Sequence, residues 1–348
     1  MPLPLILAGP IVRRVEPRLV AIWVALSSKA SVKVSVWQQH QFATNTPGEV
    51  ESGDAPWATG ERDTLRVGES LHIALVTISA EQPLPALAPG TIYAYDVEVD
   101  VAGQVTNLKS AGLLRDEPGD SDKDATPPQL ALGYTLDRLP SFVTSPGSLN
   151  DLVLAHASCR KTTAPGHDAM AYLDEVIETN LAVPTLRPHQ LFLTGDQIYA
   201  DTLAMVLLPV LNDAGGEMFG RFETLPVVKD GDTAVSEVEG TIENFPTERR
   251  RKLVQDVANF TTGSGANHLL TLAEYCAMYV AAWSPAVWRP LAEPGHIFKK
   301  TDSVVASSLT EQEWCHHPMP KNLSSLTPAD RDKEVEAGIG KWRKAMTD

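Results

Sequence analysis

An antiparallel β-sandwich followed by an α/β domain is what the 348-residue sequence predicts, on three observations. Over roughly the first hundred residues apolar side chains fall at every second position, the period of half-buried strands. Two later apolar runs, Leu152-Val153-Leu154-Ala155 and Leu191-Phe192-Leu193, each break into polar, reactive side chains and are separated by a stretch at helical spacing. That order reads as buried strand, helix, parallel buried strand. Between the two regions, Arg115 to Thr126 is acidic and rich in Asp, Pro and Gly, the composition of a linker or long solvated loop. The expected organisation is a β-sandwich over 1–110, a linker and lead-in segment over 111–150, and an α/β part with an irregular tail over 151–348.

In the first domain Val32, Val34 and Val36 interleave with Lys33 and Ser35, and Tyr93, Tyr95, Val97 and Val99 with Ala94, Asp96 and Glu98. Leu19 to Leu26 and Leu71 to Ile78 are apolar on both faces or nearly so. Pro47-Gly48, Gly53-Asp54 and Pro89-Gly90 supply turns. Several short strands at this spacing suggest a sandwich. Leu87-Ala88-Pro89-Gly90-Thr91-Ile92-Tyr93 resembles the corner of a fibronectin type III-like domain. Trp23, Trp37, Tyr93 and Tyr95 are expected in the core, which large aromatics dominate.

In the second region Asp168 stands where it would N-cap a helix carrying Ala171, Leu173, Val176 and Ile177, stopped by Asn180, Pro184 and Pro188. A further helix is expected through Leu203, Val206, Leu207 and Leu208, disrupted by Pro209 and ended at Gly215-Gly216. Pro246 to Phe260 reads as a basic-then-apolar helix on the surface, and His268 to Trp283 as a buried apolar one that Asn267-His268 would cap. A last short helix is expected at Thr327-Pro328-Ala329-Asp330, with proline at its first position.

Composition narrows the function. A net charge of −15 argues against sequence-independent nucleic-acid binding. It leaves a small anionic substrate open, because a metal ion inverts the local field. Three widely spaced cysteines make no disulfide framework. Leu269 to Trp283, interrupted by Glu274, is too short for a bilayer span. Met1 to Leu7 is apolar without a preceding basic stretch and reads as a first strand, not a signal peptide, which points to the cytoplasm.

The chemistry collects after the two apolar runs. Topology carries Cys159 and Asp196 toward one rim, since parallel neighbours lie about 5 Å apart and ligands gather beyond the carboxyl ends of such strands. A carboxylate after Gly195 at the end of a buried strand requires a cation or several donors. Tyr199, one helical turn on, would face the same side. Thiol, carboxylate and phenol are three anionic donors that suit a trivalent iron, although a lone cysteine or tyrosine so placed is more often packing. Arg160 could contact a phosphate oxygen or pair with a surface acid, and Asp201 could cap the next helix or support the site. His156 and His167 flank the cysteine without metal-like spacing. A cysteine-nucleophile phosphatase would need an arginine about six residues after its cysteine to cradle phosphate, and Pro165 stands there. Trp314-Cys315-His316-His317 lacks partners at zinc-finger spacing.

Ser158-Cys159-Arg160 and Gly195-Asp196-Gln197-Ile198-Tyr199-Ala200-Asp201 together closely resemble the PhoD-like (alkaline phosphatase D) branch of the calcineurin-like metallophosphatases. The resemblance runs back through Gly133-Tyr134 and Leu139-Pro140-Ser141-Phe142, forward to the 268–283 helix and Trp288, and fades after Pro290. It implies a four-layer αββα-type metallophosphatase domain and hydrolysis of small-molecule phosphoesters. It further implies Cys159, Asp196 and Tyr199 as ligands of Fe3+, with Asp196 bridging to a second metal, Ca2+. A hydroxide held between the metals would attack phosphorus, with Arg160 assisting in stabilising the developing charge. The family's downstream Asp-Asp-His block and its later Asp- and His-bearing segment do not occur here. The expectation is therefore an incomplete domain, an N-terminal portion with weak activity or none. A second reading is a non-catalytic binding protein in which the sandwich is the interaction module and the half-site is vestigial.

Overall fold

The computed structural model describes residues 3–38, 55–80, 84–114, 132–135, 138–161, 169–203, 207–228 and 235–284. The expected turns at 47–48 and 53–54, the linker, Pro165, His167, Asp168, Val206, Trp288, the 314–317 cluster and the 327–330 helix lie outside these residues. The chain forms two compact units. One holds the described residues up to Cys159 together with 169–195; the other holds Arg160, Lys161 and the described residues from Asp196 onward. The architecture is mixed, with antiparallel sheets, one parallel strand pair and a few helices.

In the first unit β1 (Ile6–Glu16), β2 (Leu19–Leu26), β5 (Leu65–Arg66) and β6 (His72–Ser79) form one antiparallel sheet in the order β1-β2-β6-β5. A second antiparallel sheet contains β3 (Ser31–Gln38), β4 (Ala58–Asp63), β7 (Ile92–Val101) and β8 (Gln104–Thr106) in the order β4-β3-β7-β8, with β9 (Ser141–Val143) also on β7. The period-two pattern explains the layering. Val20, Ile22, Val24 and Leu26 from one sheet and Val32, Val34, Val36, Val97 and Val99 from the other share a single buried cluster. Each fully buried aliphatic side chain there is worth about 1.5–3 kcal/mol relative to exposure. The run 71–78 is not apolar on both faces. Leu75 and Thr77 are exposed while Ala74, Val76 and Ile78 are buried, as alternation on a one-sided sheet requires.

The aromatics divide by the same parity. Tyr93 and Tyr95 are buried, with Phe142 stacked on Tyr93 at 5.9 Å and Trp57 edge-on to it at 6.4 Å. Trp23 and Trp37, expected in the core, are only half-buried, because each sits out of phase with the core-facing valines of its strand. The Tyr93 hydroxyl accepts the Ala88 N–H at 2.9 Å, which fixes the corner that precedes β7. Strand β4 crosses close to β6, and a Cβ on Gly60 would come within 2.4 Å of the Thr77 carbonyl oxygen. Gly60→Ala is therefore expected to cost roughly 2 kcal/mol through displacement of the edge strand; a urea midpoint equal to wild type would contradict this.

The same unit carries β10 (Leu154–Ala157) and β11 (Gln190–Leu193), paired in parallel with Leu154 opposite Gln190 and Ala157 opposite Leu193. The helix α1 (Ala169–Thr179) lies between them in sequence. The parallel pairing is as expected; the burial is not. Leu154 and Phe192 are each about half exposed, and none of the α1 residues is buried. Among the described residues β10 and β11 pair only with each other, so neither face has the cover that makes parallel strands interior.

The second unit contains α2 (Leu207–Phe219), the antiparallel hairpin β12 (Thr224–Val228) and β13 (Val235–Glu239), α3 (Thr247–Arg251) running into a π-helical turn (Lys252–Val257), a 3-10 turn (Gly265–Asn267), and α4 (Leu272–Trp283). Three expectations are corrected. Pro209 falls in the first turn of α2, where a missing N–H costs no bond. Gly215-Gly216 lies inside α2, not at its end. The cap of α4 is Thr271, whose hydroxyl accepts the Glu274 N–H in a full capping box, so Asn267-His268 precedes the helix without capping it. Thr271 satisfies the cap because Glu274 stands three residues on and can return the bond.

The basic stretch is helical and largely exposed as expected, but Arg250 and Val254 in it are buried. Arg250 and Glu274 are both fully buried and paired at 2.6 Å. Arg250 also donates to the Glu274 Oε2, the Phe245 carbonyl and the His268 carbonyl. Glu274 further accepts from Asn212 Nδ2 and from the Leu270 and Thr271 N–H groups. Burial alone would raise the Glu274 pKa, but the Arg250 charge and these hydrogen bonds outweigh it and hold the carboxyl below its ordinary value.

Candidate functional site

The loops after β10 and β11 carry the sequence-derived site residues. Cys159 lies two residues past β10 and Asp196 three past β11. The Cys159 N–H donates to the Gly195 carbonyl at 3.2 Å, and the Arg160 N–H to the Asp196 carbonyl at 2.9 Å. Cys159 adopts φ +57° and Asp196 φ +50°. Left-handed backbone is uncommon for residues with a Cβ and costs of order 1–3 kcal/mol, and such strain concentrates where function requires it. Two of the described chain's four non-glycine positive-φ residues are thus the two that sequence reasoning had placed beyond the strand ends.

Asp196 and Tyr199 are brought together: the Tyr199 hydroxyl donates to Asp196 Oδ2 at 3.0 Å. No helical turn does this. Residues 195–202 are a run of bends, and the left-handed Asp196 turns the chain so that Tyr199 folds back on it. Nor is Asp196 desolvated; it is exposed, as is Cys159, which follows from the exposure of the strands that deliver them. The Cys159 sulfur accepts from the Ser158 hydroxyl at 3.4 Å.

The Arg160 side chain meets the end of α4. Its Nη1 donates to the Ala282 carbonyl at 2.5 Å and its guanidinium lies 5.4 Å from the centre of the Trp283 ring, at the end of α4. It thereby caps an orphan helix carbonyl and stacks on an aromatic face. Lys161, which sequence reasoning passed over, places its ammonium 5.8 Å from the Tyr199 ring centre. The signal for it was only its adjacency to Arg160.

Asp201 does not cap α2, since Thr202 and Leu203 after it are not helical. Its carboxylate accepts the Thr262 hydroxyl at 3.0 Å. His156 Nε2 is 2.9 Å from the Thr194 hydroxyl, across the end of the strand pair. His268 is buried, edge-on to Phe260 at 5.6 Å, with Nδ1 on the Leu269 carbonyl.

No family model and no curated protein matches the chain.

Among the described residues no three His, Cys, Asp or Glu side chains gather as a metal-binding group. The bonded pair at the site is a carboxylate with a phenol, a donor combination outside that set. Among the described residues no helix is long and apolar enough to cross a membrane.

Proposed function

We propose that the chain derives from a PhoD-like metallophosphoesterase, with a fibronectin III-like sandwich ahead of a partial metallophosphatase domain. The Tyr199–Asp196 hydrogen bond, on a loop turned by a left-handed Asp196, carries this reading. A strained loop that brings a carboxylate and a phenol into contact presents two oxygens able to ligate a hard cation once the phenol gives up its proton. The resemblance adds Cys159 as the third donor and a small phosphoester as substrate. The corner bond from Ala88 to Tyr93 supports the sandwich assignment, as does the shared core of the two sheets.

Thiolate, carboxylate and phenolate fit ferric iron by charge and donor type, and the resemblance places Ca2+ beside it at Asp196. Iron bound there would supply Lewis-acid polarisation of a phosphoryl oxygen. Asp196 and Tyr199 would hold the cation with Cys159, while the Arg160 side chain is anchored to Ala282 and Trp283. The resemblance implies further ligands that this chain does not supply, so hydrolysis of generic aryl phosphomonoesters or diesters by the chain alone is expected to be weak or absent. The exposure of Leu154 and Phe192 favours a second reading, a non-catalytic binding protein with a vestigial half-site.

The test is optical. A phenolate on ferric iron gives a visible charge-transfer band that Ca2+ or Zn2+ does not. The protein loaded with ferric iron in weakly acidic buffer should colour, and Tyr199→Phe should bleach it with the far-UV circular dichroism unchanged. A folded, iron-loaded protein that stays colourless would reject the metal-site reading and put the binding protein first.

A further inference from the structure

The loop that carries Asp196 and Tyr199 is tied to one later segment at three points in its last four residues. The Thr262 hydroxyl donates to Asp201 Oδ2 at 3.0 Å, the Leu269 N–H donates to the Ala200 carbonyl at 2.8 Å, and the Asn267 side-chain amide donates to the Leu203 carbonyl. The segment is itself held at both ends. Gln255, in the π-helical turn, donates to the Thr262 carbonyl at 3.0 Å, and the buried Arg250 donates to the His268 carbonyl at 2.8 Å. Of the three ties, only Thr262–Asp201 joins two side chains, so only it depends on side-chain identity at both ends. The Thr262 hydroxyl both donates and accepts, since it also takes the Ser264 N–H at 3.1 Å. A π-helical turn between α3 and this segment is an uncommon element that recurs at functional sites.

We propose that Thr262 is a positioning residue: through Asp201 it latches the Asp196–Leu203 loop and so keeps Tyr199 against Asp196. A left-handed Asp196 does not persist unless its surroundings over-determine it. The latch supplies a charge-assisted hydrogen bond two residues beyond Tyr199, and the Leu269–Ala200 bond supplies a second constraint one residue beyond it. The inference rests on the proposed metal site only for what the loop is positioned to do; the latch itself is a property of the metal-free chain.

Hydrogen–deuterium exchange on the full metal-free protein tests it. Thr262→Val should speed exchange over 197–203 by roughly tenfold or more, the effect of losing a hydrogen bond to a charged group, while β2, β3, β6 and β7 stay protected. Asp201→Ala should match it, the double variant should be no faster than either single one, and Thr262→Ser should restore wild-type exchange. Wild-type exchange in Thr262→Val, additive loosening in the double variant, or a serine variant as loose as valine would each overturn the latch. With ferric iron, Thr262→Val should weaken or shift the charge-transfer band; an unchanged band beside a coloured wild type would also overturn it. A colourless wild type would instead count against the metal-site reading, and the exchange result would still decide the latch.

Discussion

Glu274→Gln is expected to destabilise the protein by about 3–5 kcal/mol at neutral pH, because it leaves the Arg250 guanidinium buried without its counter-charge. Both partners are fully buried, so solvent does not screen the loss. The pH dependence follows from the depressed carboxyl. Its folded-state pKa lies below the ordinary 4.5, so the ionised group contributes stability above that value and the contribution fades as pH falls through the folded pKa. The gap between wild type and Glu274→Gln, followed by urea unfolding, should therefore be full at pH 7 and close progressively in acid. A gap that persists unchanged to the lowest accessible pH would show that the interaction is not an ion pair. Arg250→Met with Glu274→Leu should recover much of the single-variant loss, since well-packed apolar pairs often match buried ion pairs. It should still fall short of wild type, because Glu274 also completes the capping box of α4, a contribution of about 1 kcal/mol.

The second large effect is expected where α2 meets α4. A Cβ on Gly215 would lie 2.7 Å from the Ala273 carbonyl carbon and 2.8 Å from its oxygen. These are backbone atoms in the first turn of a capped helix and cannot swing aside. Replacing glycine inside a helix ordinarily gains up to about 1 kcal/mol of propensity. Gly215→Val brings two further methyl groups into the crossing, and overpacking of about 3 kcal/mol outweighs that gain. Gly263, with open space around its ideal Cβ, is the control: Gly263→Ala should leave stability unchanged or slightly higher. A thermal midpoint for Gly215→Val at or above wild type would mean that the two helices separate without cost.

What was legible in the sequence followed from short-range periodicity. The valines at 32, 34 and 36 announced β3 because a one-sided sheet repeats every two residues, and they are buried as that repeat demands. The parallel strands were legible from apolar runs that end in polar residues, and they pair in register. The illegible features depend on partners far along the chain. Arg250 stands in a run of basic residues that reads as a solvated surface, and its burial is decided by Glu274, 24 positions later. Gly215-Gly216 has the local signature of a helix end, and only the approach of α4 shows it to be a crossing point. At the candidate site, residue types and positions were readable. The left-handed turn at Asp196, the contact of Arg160 with Trp283 and the bond of Thr262 to Asp201 were not, since each is a three-dimensional choice among several that the same residues permit.

The unshared edges of β10 and β11 bear on how copies of this protein behave toward one another. Among the described residues no further strand pairs with either outer edge, and Leu154, Leu191 and Phe192 are exposed beside them. Such a ribbon is a template for strand addition by any chain that approaches it. The surplus of 44 acidic over 29 basic residues opposes that approach, because like-charged molecules repel before backbone contact is reached. The repulsion reaches only about 8 Å at physiological ionic strength. The charge that opposes such pairing is spread along the whole chain, whereas this ribbon amounts to eight residues of sheet.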